Sequence, residues 1–125
     1  MDERHDLVAD CRIRAATELF AHTWDPVVLA ALRPGALRRR ELRAVIGGLS
    51  DKALTEALGR LLGNGLIVRS RFAQAPPRVE YGLTRLGGSL VDGPMTALGE
   101  WIVAHGDELL AAQERAAARK AQGKI

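Results

Sequence analysis

The 125-residue sequence predicts a mostly helical α+β domain. Three observations carry this expectation. Four short segments with apolar residues at helical spacing come first, two segments with alternating apolar residues follow, and another helical stripe closes the chain. The length suits one packed domain rather than two, and 47% apolar with 26% charged residues is the mix of a folded chain. No apolar run approaches the roughly 20 residues that cross a bilayer. The start, Met1-Asp2-Glu3, has no apolar core before a small-residue cleavage site. The expectation is a cytoplasmic protein without a membrane partner.

The first helix is expected over residues 12–21, with Ile13, Ala16, Leu19 and Phe20 on one face. Asp25-Pro26 opens the second, the carboxylate as cap and proline in the first turn. It ends at Arg33-Pro34-Gly35. A third runs from about Arg39 to Ile46 with Leu42, Val45 and Ile46 inward, and Gly47-Gly48 ends it. Ser50 caps a fourth, roughly Asp51 to Gly63, burying Leu54, Leu58, Leu61 and Leu62. Asn64-Gly65 supplies left-handed conformers at its exit.

Leu66 to Gln74 alternates as a strand, with Val68, Ser70 and Phe72 on one face. Val79 to Leu83 is a second strand, and Ala75-Pro76-Pro77-Arg78 makes a stiff tip between them. A tight turn would set Phe72 opposite Tyr81 and Glu80 diagonally near Arg71. Thr84 caps the last helical region, where Leu86 and Leu90 start an apolar stripe and Gly93-Pro94 kinks or breaks it. Beyond the break, Leu98, Trp101, Ile102, His105 and Leu109 recur at helical spacing. Three helices followed by a two-stranded wing is the winged helix-turn-helix order, here with extra helices before and after it. The expected organisation is a flexible arm over residues 1–10, the winged domain with its N-terminal and C-terminal dimerisation helices over 11–110, and a helical tail over 111–125, frayed by Gly123.

Charge is unevenly placed. Residues 33–85 carry eleven Lys/Arg against four acids, a net +7, while residues 1–32 carry −3 and residues 86–125 carry −1. Compositional preference for arginine explains fifteen Arg to three Lys, but it does not explain a positive excess confined to the middle. That outline fits a central segment facing a polyanion.

Particular residues sharpen the reading. They are Cys11, Trp24, Arg38-Arg39-Arg40-Glu41-Leu42-Arg43, Ser50-Asp51-Lys52-Ala53-Leu54-Thr55, Asn64-Gly65-Leu66-Ile67, Pro76-Pro77-Arg78-Val79-Glu80-Tyr81 and Leu83-Thr84-Arg85-Leu86-Gly87. In this order and spacing the chain resembles the HxlR-type transcriptional regulators, winged-helix relatives of the MarR group, over about residues 11–105. It departs from the family in two places: an aromatic residue is usual near Arg39, and Gly93-Pro94 is an unusual interruption.

The resemblance implies a homodimer that binds a palindromic operator in double-stranded DNA, with the fourth helix as recognition helix. Ser50, Lys52, Thr55 and Glu56 occupy the first turns of that helix, the part that approaches base edges in the major groove. Arg38, Arg39 and Arg40 are expected at phosphates. Arg71 and Arg78 flank the wing tip and are expected at the minor groove or backbone. A solvated surface role is the alternative for each, and pairing to Glu80 is the alternative for Arg71. Leu98, Trp101, Ile102, His105 and Leu109 are the expected dimer interface, with intramolecular core as the rival.

Cys11 is a candidate redox sensor, as some regulators of this type sense oxidants through a cysteine at this place; buried packing is the alternative. A small-molecule effector could lodge between the fourth helix and the dimerisation segment. No catalytic, cofactor or metal site is expected: His5, His22 and His105 are scattered and no phosphate-cradling glycine loop is present. The competing function is a winged helix that binds protein and not DNA.

Overall fold

The computed structural model describes residues 11–123. The arm expected over residues 1–10 lies outside the described residues. The chain divides into two compact units, residues 1–91 and 92–125. In the first, α1 (Cys11–Glu18), α2 (Trp24–Ala31), α3 (Arg39–Ile46) and α4 (Asp51–Gly63) precede β1 (Ile67–Phe72), β2 (Arg78–Leu83) and α5 (Arg85–Leu90). This is the winged helix-turn-helix order that the sequence predicts.

The core is aliphatic. Val28, Leu29 and Leu32 from the α2 end meet Leu42 of α3, Leu49 of the turn, and Leu54, Ala57, Leu58 and Leu61 of α4, with Leu66 and Ile67 beneath the wing. Each such leucine contributes about 1.5–3 kcal/mol by leaving water. α4 starts where Ser50 Oγ accepts from the Ala53 N–H at 3.0 Å, as expected of a serine cap. Leu62 does not join the buried stripe and is exposed. At about 100° per residue it stands about 80° round from Leu54, at the rim of the covered arc. Val45 is likewise not inward but 64% exposed, while α3 turns Leu42 fully and Ile46 partly inward.

Asp25 does not cap α2. That helix begins one residue earlier, at Trp24, with no side-chain bond from its cap residue Thr23, and the Asp25 carboxylate turns inward to Arg60. α1 is shorter than expected and buries no residue; Ile13 and Phe20 are both exposed. Asn64 has φ −88°, so only Gly65, at φ +70°, supplies the left-handed exit from α4. Gly47 and Gly48, at φ +69° and +64°, end α3 as expected.

The wing register also differs. Phe72 pairs with Arg78, Arg71 with Val79, and Tyr81 lies opposite Arg69. Five residues, Ala73 to Pro77, separate the strands, with the Ala75–Pro76 bond cis, so the tip is longer than the tight turn that would set Phe72 against Tyr81. On its other side β2 meets Leu37: the Leu37 N–H donates to the Tyr81 carbonyl at 2.9 Å and the Tyr81 N–H returns at 2.8 Å. Thr84 caps α5, its Oγ1 accepting from Gly87 N–H at 3.0 Å and donating to the Gly65 carbonyl at 2.7 Å.

Gly93-Pro94 does not break the chain into a loop. Val91–Met95 forms one π-helical turn with Pro94 inside it, since a widened turn tolerates the N–H that proline lacks. In the second unit, α6 (Thr96–Ala121) runs for 26 residues without one buried residue. It continues through Ala111 to Ala121 and closes with the Gln122 N–H on the Ala118 carbonyl at 3.1 Å.

Candidate nucleic-acid interface

The start of α3 and the start of α4 are tied together by one side chain. Arg39 donates from Nε and Nη2 to Asp51 Oδ1 at 3.1 and 2.8 Å, and from Nη2 to the Asp51 carbonyl at 2.9 Å. The same Nη2 donates to Thr55 Oγ1, whose hydroxyl donates in turn to the Asp51 carbonyl at 3.0 Å. Arg43 Nη1 adds charge at 3.9 Å from Asp51 Oδ1. The Arg39 guanidinium is therefore engaged inside the protein, and Arg43, absent from the sequence-based candidates, joins the cluster.

Arg38 stands at the α3 cap. Its N–H donates to Glu41 Oε1 at 2.8 Å, and its Nε stays 3.6 Å from the same oxygen. The Arg38 amide, then the charges of Arg38, Arg78 and Arg40, hold the Glu41 carboxyl below its ordinary value against a smaller opposing effect of burial. The influence of Arg78 on Glu41 ties strand β2 electrostatically to the start of α3. Arg78 itself pairs with Glu80; neither Arg38 Nε nor Arg78 Nε makes a hydrogen bond. Glu80 therefore takes Arg78 and not Arg71, against the rival reading of Arg71, which is exposed on β1.

On α4, Lys52 and Glu56 are one turn apart, with Nζ 3.9 Å from Oε1 and Lys52 87% exposed. Ser50 is committed to the cap. Arg40 is exposed beside Arg39. Arg38 to Arg40, Ser50, Lys52, Thr55 and Glu56 are thus joined through the Arg39–Asp51 contact, with Arg78 reaching Glu41 from the wing.

The sequence reading missed Asp25 and Arg60. Asp25 is 3% exposed and receives Arg60 Nε at 3.1 and 2.9 Å and Nη2 at 2.8 Å. The two are 35 residues apart in the chain, so no local pattern announces the pair. In the second unit, Leu98, Trp101, Ile102 and Leu109 are exposed. The Trp101 and His105 rings lie 5.3 Å apart at a tilt of 40°. Cys11 is exposed in the first turn of α1, against the buried-packing alternative.

Comparison with known proteins places this geometry. The HTH-type transcriptional regulator YtfH of Escherichia coli is 37% identical over 108 residues, covering 86% of this chain and 85% of YtfH. A MarR-family transcriptional regulator from Porphyromonas gingivalis superposes with a TM-score of 0.65 at 31% identity, covering 86% of this chain and 95% of that one. The redox regulator HypR in its reduced form gives a TM-score of 0.69 at 26% identity, covering 78% of this chain and 98% of HypR. The family model for the HxlR-like helix-turn-helix matches residues 19–109. With most of its length inside that match, the chain belongs to the HxlR-like helix-turn-helix family of winged-helix transcriptional regulators.

Proposed function

We propose that this regulator binds double-stranded DNA as a homodimer, with α4 in the major groove and the wing on the minor groove or backbone of a palindromic operator. The observation that carries the reading is the joint placement of the α4 first turns and the arginine-rich start of α3 through Arg39 and Asp51. A helix start with polar, exposed Lys52 and Glu56 is what base edges require, and Arg38 and Arg40 beside it supply phosphate contacts. Because Arg38 Nε makes no hydrogen bond, its guanidinium can turn to a phosphate without breaking one there.

The homodimer is supported by α6. A 26-residue helix without a buried residue, carrying Leu98, Trp101, Ile102 and Leu109 on its surface, needs an apolar partner. A second copy supplies the same stripe and brings two α4 helices about 34 Å apart, one DNA turn. An operator symmetric about that axis follows. Control by a small effector or by Cys11 belongs to the same reading. Exposed Cys11 is open to an oxidant, and with one cysteine per chain a disulfide would join two copies. Such regulators act in the cytoplasm, and no helix among the described residues is long and apolar enough to cross a membrane.

A salt titration against random duplex tests the DNA reading. Affinity should fall steeply, with a log-log slope of about −0.9 for each phosphate neutralised. Absence of duplex binding even at low salt removes it and leaves the protein-binding winged helix.

A further inference from the structure

Arg39 occupies a place where a phosphate contact is the simplest assignment, yet its Nε and Nη2 donors are taken up by α4. It meets three acceptors there: Asp51 Oδ1, the Asp51 carbonyl and Thr55 Oγ1. We propose that Arg39 is a positioning residue for the reading helix, locking Asp51 and Thr55 so that Thr55 meets a base through its methyl group and not its hydroxyl. The inference rests on the DNA-binding reading and deepens it.

Hydroxyl arithmetic leads to this conclusion. Threonine has one proton to donate and two lone pairs. The proton goes to the Asp51 carbonyl at 3.0 Å, and one lone pair takes Arg39 Nη2. Nothing remains to donate to guanine O6 or N7 or to thymine O4, and the last lone pair lies beside a cation that repels further donors. Thr55 is nevertheless exposed on the second turn of α4. Its free recognition element is the methyl group, and the base feature that fits a methyl is the 5-methyl of thymine.

Asp51 gains a role by the same geometry. An unpaired carboxylate in the first turn of a reading helix would repel phosphates. Here Arg39 at 2.8 Å and Arg43 at 3.9 Å surround it, so its charge is offset and its carboxylate fixes the fork. Although the pair is exposed and its Coulomb attraction alone is weak, the three N–H groups of Nε and Nη2, shared among Asp51 Oδ1, the Asp51 carbonyl and Thr55 Oγ1, define a single orientation.

The test uses full-length protein, a duplex selected from a random pool by the wild type, and a random duplex. Asp51→Asn separates the possibilities by sign. If Asp51 were only a negative charge near DNA, its removal would tighten binding to both duplexes. Positioning requires weaker binding to the selected duplex, by about tenfold, with random-duplex affinity and salt slope nearly unchanged. Arg39→Ala should behave the same way, and the double variant should be no worse than either single one. Replacing individual thymines by uracil removes only the methyl. One such replacement should weaken the wild type, leave Thr55→Ser indifferent, and weaken Thr55→Val as it does the wild type. The inference is overturned if Asp51→Asn tightens binding to both duplexes, if Arg39→Ala lowers the salt slope by about 0.9 for selected and random duplex alike, or if Thr55→Val abolishes selective binding. Failure of the wild type to bind any duplex is a separate result, and it sinks the DNA reading itself.

Discussion

Arg60 holds Asp25 in a two-pronged grip, with Nε on both carboxylate oxygens and Nη2 at 2.8 Å from Oδ1. The contact pins the last turn of α4 to the first turn of α2, and the carboxylate is almost wholly removed from water. The hydrogen bond to Asp25, more than the surrounding charge, raises the Arg60 guanidinium above its ordinary value. A raised cationic group stabilises the fold at every pH below its unfolded value. The guanidinium side of the pair therefore stays charged across the neutral range and loses its proton only in strong alkali.

Arg60→Ala strands a buried carboxylate and should cost about 3 kcal/mol, the low end for such a pair because Arg60 keeps some solvent contact. Replacing both partners, Asp25→Leu with Arg60→Met, should recover most of that loss. Urea denaturation of the three proteins checks the order; an Arg60→Ala protein as stable as wild type would contradict it.

Gly87 and Gly88 make a matched pair for a second measurement. A Cβ on Gly87 would lie 2.0 Å from the Leu66 carbonyl oxygen, whereas one on Gly88 meets nothing within 4 Å. That carbonyl already accepts from Thr84 N–H at 3.1 Å, so it cannot withdraw freely. Gly87→Ala should lose about 2 kcal/mol or more, and Gly88→Ala should melt at or slightly above the wild-type temperature.

Glu41 predicts an acid-side signature. Its folded value lies below the ordinary glutamate value, chiefly through the Arg38 N–H. Its contribution is thus complete above the unfolded value, about 4.3, and disappears as pH falls through the folded one. Glu41→Gln should be less stable than wild type at neutral pH, and the two melting curves should converge as pH falls below the unfolded value and through the lower folded one. A gap independent of pH would show that the charge contributes nothing.

Trp101 and Ile102 report on self-association. They are 47% and 50% exposed on a helix that has no buried residue. Ile102→Glu should convert a dimer to monomer in sedimentation, weakening operator binding by about a hundredfold or more while leaving the helical signal of the first unit intact. A monomeric wild type would end the dimer proposal.

What could be read from the sequence was what depends on neighbours in the chain. Ser50, Thr84 and Gly47-Gly48 act within one turn of their own positions, and the Leu54, Leu58 and Leu61 stripe needs only helical geometry. Contacts across tens of residues were not legible. Asp25 looks like a helix cap until Arg60 arrives from α4, and Arg39 looks like a phosphate ligand until Asp51 closes on it from 12 positions away. Stripe edges also misled, since Val45 and Leu62 satisfy the spacing but fall beyond the covered arc. The register of Phe72 turned on the number of residues in the wing tip, which alternation does not fix.

The Leu37 bridge has an effect on the molecule's behaviour in a crowded cell. By occupying one flank of β2, it leaves β1 as the unpaired rim of the sheet among the described residues, a row of amides and carbonyls on which a foreign strand could grow. Val68 and Phe72 on that rim are exposed and greasy enough to invite such growth. Arg69 and Arg71 alternate with them, and like charges brought into register by stacking would repel at every layer. The charge of those two arginines therefore opposes strand-on-strand stacking at this rim.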